Sequence, residues 1–129
     1  MSSPKNTLRT PLAQVRGLGA AKRGTEHFVA QRVSAIALIF LTIWFVWAIA
    51  AHAGADYVKA VAFLSHPINA GLMLLFAVTA IYHFMLGLQV VIEDYVSGEG
   101  LKVAALLANK FVAIILGLAC VIAVLKLAV

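Results

Sequence analysis

Residues 67–92, PINAGLMLLFAVTAIYHFMLGLQVVI, form a long apolar segment that begins with a proline and contains one histidine, His83. A Ser or His cap followed by a proline in the first turn is a helix-start signal, and here Ser65 and His66 precede Pro67. At about 1.5 Å per residue, the segment is long enough to cross the roughly 30 Å hydrocarbon core of a bilayer. We therefore predict a transmembrane helix over residues 67–92.

Two further apolar segments flank this helix. Residues 33–51, VSAIALIFLTIWFVWAIAA, give about 28 Å of helix, with two tryptophans toward the far end, where such rings prefer the membrane interface. A cleaved signal peptide is the alternative for this segment, but its apolar run is longer than the roughly 7–15 residues of a signal peptide. Residues 105–127 supply the third span. The sequence thus predicts an all-α integral membrane protein with three transmembrane helices.

Composition and charge agree with a membrane protein. The chain has 129 residues, of which 64% are hydrophobic and 12% charged, whereas soluble domains carry about 25% charged residues. The net charge of +5 is concentrated near the N-terminus, because six of the ten basic residues precede the first span. Those six are Lys5, Arg9, Arg16, Lys22, Arg23 and Arg32. This placement favours a segment facing anionic cytoplasmic lipid and argues against a nucleic-acid-binding domain, which needs a folded basic face.

The charge asymmetry also predicts the topology and the division of the chain. We expect a basic cytoplasmic arm over residues 1–28, mostly irregular up to residue 24, and a three-helix transmembrane domain over residues 29–129. An N-terminus inside makes the loop at residues 93–102 cytoplasmic and the C-terminus external. The expected location is a bacterial plasma membrane, and the mitochondrial inner membrane is the alternative, since targeting peptides have a similar composition.

His83 is the histidine that lies deep within an apolar segment. An ionisable side chain inside a span is costly and is a functional-site hypothesis by default. The structural alternative is a neutral imidazole hydrogen-bonded to Thr79, one turn earlier. Gly87 lies four residues after His83 on the same helix face, where a missing side chain leaves room for a flat macrocycle, although glycine at such spacing is also common in helix packing.

Two acidic residues end the middle helix. Asp94 follows His83 by eleven residues, which is about three turns, so both lie on nearly the same face and about 16 Å apart along the axis. Glu93 and Asp94 have the wrong sign for a helix C-terminus, where the dipole disfavours carboxylates. Two explanations for these carboxylates are open: they are solvated in the loop, or they pair with a cationic side chain. Arg32, at the cytoplasmic entrance of the first span, is at a similar expected depth.

These residues resemble the small, D-type membrane anchor subunit of succinate dehydrogenase, respiratory complex II. The resemblance lies in His83-x3-Gly87 followed by Asp94-Tyr95, and in the segments GTEHF at residues 24–28 and QRVSA at residues 31–35. It covers about residues 24–96. The third span matches only in being a helix.

The resemblance implies a role for each matched residue. His83 would be one axial ligand of a b-type haem shared with a second, C-type anchor subunit, with Gly87 beside the haem and Arg32 near its propionates. Tyr95 would donate a hydrogen bond to a ubiquinone carbonyl, and Asp94 would support that pocket by pairing with an arginine. Because the chain offers one histidine at suitable depth, the second haem ligand must come from another polypeptide.

The function implied is that of a non-catalytic anchor in electron transport and the tricarboxylic acid cycle. The chain would dock an iron–sulfur subunit and a flavoprotein subunit, and it would not oxidise succinate itself, since it has no flavin fingerprint and no cluster cysteines. An anchor of a quinol–fumarate reductase is the nearest alternative. A structural or assembly subunit without haem, in which His83 is merely packed, is the alternative from another class.

Overall fold

The residues that the structure, a computed structural model, describes fold into four helices and contain no strand. The backbone is described for residues 22–129 and the side chains for residues 24–129. The helices are α1 (Lys22–Ala51), α2 (Tyr57–Ser65), α3 (Pro67–Tyr95) and α4 (Glu99–Ala128). The predicted all-α class is confirmed.

Three of the helices are long and apolar enough to cross a membrane: α1 from Gly24, α3 and α4. Large hydrophobic side chains cover their outer surfaces, and Phe40, for example, is 70% exposed. Such surfaces are suited to acyl chains or to other apolar helices. The three predicted spans are therefore present as helices, and this is a multi-pass membrane protein.

The helix α1 begins well ahead of the predicted span at residues 33–51. Residues 22–28, which the sequence assigns to the arm, already belong to it. Once a helix is nucleated by an apolar segment, each added residue gains a hydrogen bond at little further cost, so the helix extends past the apolar boundary. Residues 1–21 of the predicted arm lie outside the described residues.

The helix α2 lies within the short connection between the first two spans, residues 52–66. Asp56 caps it by accepting a hydrogen bond from the backbone N–H of Lys59 at 2.9 Å. A nine-residue helix is marginal by itself, and tertiary contacts stabilise this one. The Ser65 hydroxyl shares its one proton between the Val61 carbonyl at 2.7 Å and the Leu127 carbonyl at 2.9 Å, and the second contact links the end of α2 to the end of α4.

The helix α3 starts as predicted and ends later than predicted. His66 is its N-cap, with Nδ1 accepting a hydrogen bond from the Ile68 N–H at 3.3 Å. The helix continues beyond Ile92 to Tyr95, so the two carboxylates stand in its last turn. Gly98, with φ +93°, is the N-cap of α4. A positive φ at this position favours glycine and turns the chain back into the membrane.

The three spans lie side by side with α3 in the centre. α3 packs against α1 and, more extensively, against α4, while no Cα of α1 lies within 8 Å of a Cα of α4 in the described part of the chain. Ser34 meets His83 and Phe45 stacks on Phe76, so α1 and α3 are antiparallel. The start of α1, the end of α3 and the start of α4 therefore share one end of the molecule.

Candidate functional site

The imidazole of His83 is held from the neighbouring helix. Its Nδ1 lies 2.8 Å from the hydroxyl oxygen of Ser34, which is only 6% exposed at the α1–α3 interface. The same hydroxyl donates to the carbonyl of Gln31 at 3.0 Å. The alternative bond to Thr79 does not form, and the hydrogen bond joins two helices rather than two turns of one helix.

The other side of the imidazole borders a groove of about 540 Å³ on the outer surface of α1 and α3. Nε2 of His83 has no hydrogen-bond partner among the described residues. The groove walls are apolar apart from His83 and one threonine. They are formed by Ala35, Leu38, Ile39, Thr42, Ile43 and Val46. The His83 ring therefore lines a largely apolar groove and has one nitrogen without a hydrogen-bond partner in the described part of the chain.

Arg32 lies on the same stripe of α1 as the groove. Ala35 and Ile39 follow it by three and seven residues, a spacing that places all three on one helix face. The guanidinium is exposed, and its Cζ lies 5.0 Å from the centre of the Phe28 ring. A cation thus stands at the end of the groove nearest the start of α1.

Gly87 faces α1. A Cβ at this position would lie 3.7 Å from Nε2 of Gln31, which is ordinary van der Waals contact. A methyl group would therefore fit between α1 and α3 at this position, whereas a longer side chain would meet Gln31. The role of Gly87 beside a macrocycle stays a prediction.

Asp94 and Tyr95 lie at the end of α3 with their side chains exposed. Asp94 forms no ion pair with Arg32 and has no other partner in the described part of the chain. Its neighbour Glu93 accepts a hydrogen bond from the Gln89 amide at 3.0 Å. Tyr95, the last residue of α3, is 82% exposed. Both side chains are available to another molecule at this end of the protein.

The helix α1 carries a polar face that the sequence pattern alone did not single out. His27, Gln31 and Ser34 are spaced by four and three residues, so they share the face that packs on α3. Within the described residues, Nε2 of His27 and Oε1 of Gln31 are buried without a hydrogen-bond partner. The spacing was visible in the sequence, but nothing in it showed which face of α1 meets His83.

Known proteins are similar to this chain over most of its length. Residues 6–124 match the family described as succinate dehydrogenase/fumarate reductase transmembrane subunit. A Rickettsia bellii protein named succinate dehydrogenase hydrophobic membrane anchor subunit is 34% identical over 116 residues, covering 90% of this chain and 93% of the relative. A Paracoccus denitrificans protein of the same name is 34% identical over 102 residues, covering 79% of each chain. No solved structure matches the chain.

The match extends well beyond the pattern of His83, Gly87, Asp94 and Tyr95 that first indicated it, because it includes the third span. A family match over most of the chain, together with relatives of this identity and coverage, confirms the resemblance. The chain belongs to the succinate dehydrogenase/fumarate reductase transmembrane subunit family.

Proposed function

We propose that the chain is the hydrophobic membrane anchor of a bacterial succinate dehydrogenase, that it supplies one axial ligand to a b-type haem, and that it forms part of a ubiquinone site. The names of its relatives support the anchor role, and three spans with bacterial relatives support a place in the bacterial plasma membrane. One observation carries the haem assignment: the His83 imidazole is held through Nδ1, lines an apolar groove, and has no hydrogen-bond partner at Nε2 among the described residues.

The residues around the groove fit a b-type haem. The macrocycle needs an imidazole nitrogen for its iron, an apolar surface for its ring and cations for its two carboxylates. His83 offers the nitrogen, side chains such as Leu38 and Ile43 offer the surface, and Arg32 offers a cation at one end. A haem held there would supply a one-electron carrier within the membrane, close to the quinone.

The second axial ligand comes from a partner subunit in this proposal. His52 is bonded to the Ala48 carbonyl at 2.9 Å and packs on Phe63, while His66 caps α3, and both are at the far end of the bundle from the start of α1. The described residues contain no group of three side chains able to hold a metal ion. A C-type anchor with its own histidine would cover the groove and complete the haem site.

The quinone site is proposed at the end of α3, where Tyr95 and Asp94 are exposed. The Tyr95 hydroxyl would donate a hydrogen bond to the quinone carbonyl that gains negative charge on reduction. Asp94 would support the pocket by pairing with an arginine other than Arg32, which is engaged with Phe28. A hydroxyl at the end of a transmembrane helix is accessible to a head group entering from the bilayer.

The iron–sulfur and flavoprotein subunits would dock at this same end, which we propose is cytoplasmic because the basic residues precede α1. Electrons from succinate would then reach the quinone without crossing the membrane. The family description names both succinate dehydrogenase and fumarate reductase. The potentials of the quinone and the clusters set the direction, and the two relatives named above support succinate oxidation.

The test is the absorption spectrum of the purified complex, with its co-purifying subunits identified. We expect a low-spin b-type spectrum, and His83→Ala should convert it to high spin or abolish it. His66→Asn is the matched control, because asparagine retains the N-cap of α3 at the opposite end and should leave the spectrum unchanged. An unchanged low-spin spectrum in an assembled His83→Ala complex would refute the haem assignment. A wild-type complex without haem would favour the structural or assembly subunit.

A further inference from the structure

A chain of two hydrogen bonds leads from a backbone carbonyl of α1 to the His83 ring. The Ser34 hydroxyl donates to the Gln31 carbonyl at 3.0 Å, and the same oxygen lies 2.8 Å from Nδ1 of His83. A serine hydroxyl has one proton and two lone pairs. The distance and angle to the Gln31 carbonyl allow the hydroxyl to donate there, and with its proton on that side the oxygen presents a lone pair to the imidazole.

This arrangement selects one tautomer of the ring. A lone pair on Oγ requires a proton on Nδ1, since two facing lone pairs repel each other. In a neutral imidazole with its proton on Nδ1, the remaining lone pair is on Nε2. Iron binding at Nε2 requires the same arrangement, with the proton on Nδ1. The Nδ1–H tautomer, with Nε2 free to bind a metal, is therefore the form that suits the proposed site.

Burial makes the selection effective. Ser34 is 6% exposed, so water does not compete for the bond, and a hydrogen bond in a low-dielectric interface is stronger than one in water. The bond also links α1 to α3, so it fixes the orientation of the ring as well as its protonated nitrogen. A metal-binding histidine commonly has its other nitrogen held in this way, and loss of such a partner typically costs about 10–100-fold in metal affinity or activity.

We infer that Ser34 is a positioning residue that holds His83 as the Nδ1–H tautomer and directs Nε2 to the groove. The inference rests on the proposed haem site, and it assigns a role to a residue of α1 that does not touch the iron. Without this hydrogen bond the imidazole donates less electron density to iron. The ferric state is then less stabilised relative to the ferrous state. The midpoint potential of the haem should then rise.

The experiment uses the whole complex with Ser34→Ala and the nearly isosteric pair Ser34→Thr and Ser34→Val. Threonine retains a hydroxyl that can bond the preceding turn, whereas valine has a similar shape without the hydroxyl. We measure haem content per assembled complex, the midpoint potential by redox titration and the low-spin signals by electron paramagnetic resonance. We expect the alanine and valine variants to show a higher potential, altered low-spin signals and haem affinity lowered by about 10–100-fold. Threonine should retain wild-type values.

The outcomes separate the two proposals. Unchanged potential and spectra in assembled alanine or valine variants would overturn the role of Ser34 and leave the haem site intact. An equal shift in all three variants would also overturn it, because the cause would then be shape rather than the hydroxyl. If alanine prevents assembly, the threonine–valine comparison gives the result. Failure of the proposed function has a different signature: no haem in the wild-type complex, or a low-spin spectrum that persists in His83→Ala.

Discussion

Tyr95→Phe is the sharpest test of the quinone site. The substitution keeps the ring and deletes one hydroxyl at the last residue of α3. Because Tyr95 is 82% exposed and its hydroxyl has no partner in the described part of the chain, the change removes no contact within this subunit. Surface substitutions of this kind usually change the free energy of unfolding by less than about 0.5 kcal/mol. Assembly should therefore be unaffected.

The expected loss of activity follows from the charge that develops on the quinone. A donor to a developing oxyanion typically stabilises the transition state by about 3–4 kcal/mol, which is about 10²–10³ in rate. An interfacial tyrosine that only anchors the helix in the membrane would cost almost nothing when its hydroxyl is removed. The two roles therefore predict rates that differ by at least about two orders of magnitude.

The assay compares succinate–ubiquinone reductase activity with succinate oxidation by a dye that accepts electrons upstream of the quinone. We expect Tyr95→Phe to lower the first strongly and to spare the second. Tyr57→Phe is the matched control, because Tyr57 is 78% exposed on α2 at the opposite end. Wild-type quinone reductase activity in an intact Tyr95→Phe complex would show that Tyr95 is only an interfacial anchor and that the quinone site is wrongly placed.

Three further predictions concern packing and topology. Gly87→Ala should assemble with near-normal haem content, since an added Cβ makes ordinary contact. Gly87→Leu should separate α1 from α3 and lower the haem content. Equal haem content in the two variants would contradict the close packing of α1 on α3 at this position. Asn109→Ala removes the 3.0 Å bond from its amide to the Met85 carbonyl and should destabilise α3–α4 packing by about 0.6–1.7 kcal/mol in a detergent unfolding titration. No measurable change would show that the bond adds nothing. In sealed inside-out vesicles, an impermeant thiol reagent should label Ser97→Cys and not Ala53→Cys, and the reverse would invert the topology.

The sequence alone determines the spans and their class. Apolar length is a local property, so residues 67–92 predict a membrane helix whatever surrounds them, and His66 with Pro67 marks its start in the structure as in the sequence. The common face of His83 and Asp94 also follows from helical periodicity within one element. The family resemblance rests on the same local pattern, because the spacing from His83 to Tyr95 is fixed along a single helix.

Relations between helices required the tertiary structure. Periodicity gives the faces of α1 and α3 separately, but their relative rotation and axial offset depend on how the two surfaces pack. That packing gives His83 a serine from α1 instead of Thr79, and it directs Gly87 at Gln31. The short helix α2 is likewise stabilised by its contact with α4, and the local sequence does not show that contact. Apolar length decides that helices form in a membrane, whereas complementary packing between them decides which side chains meet.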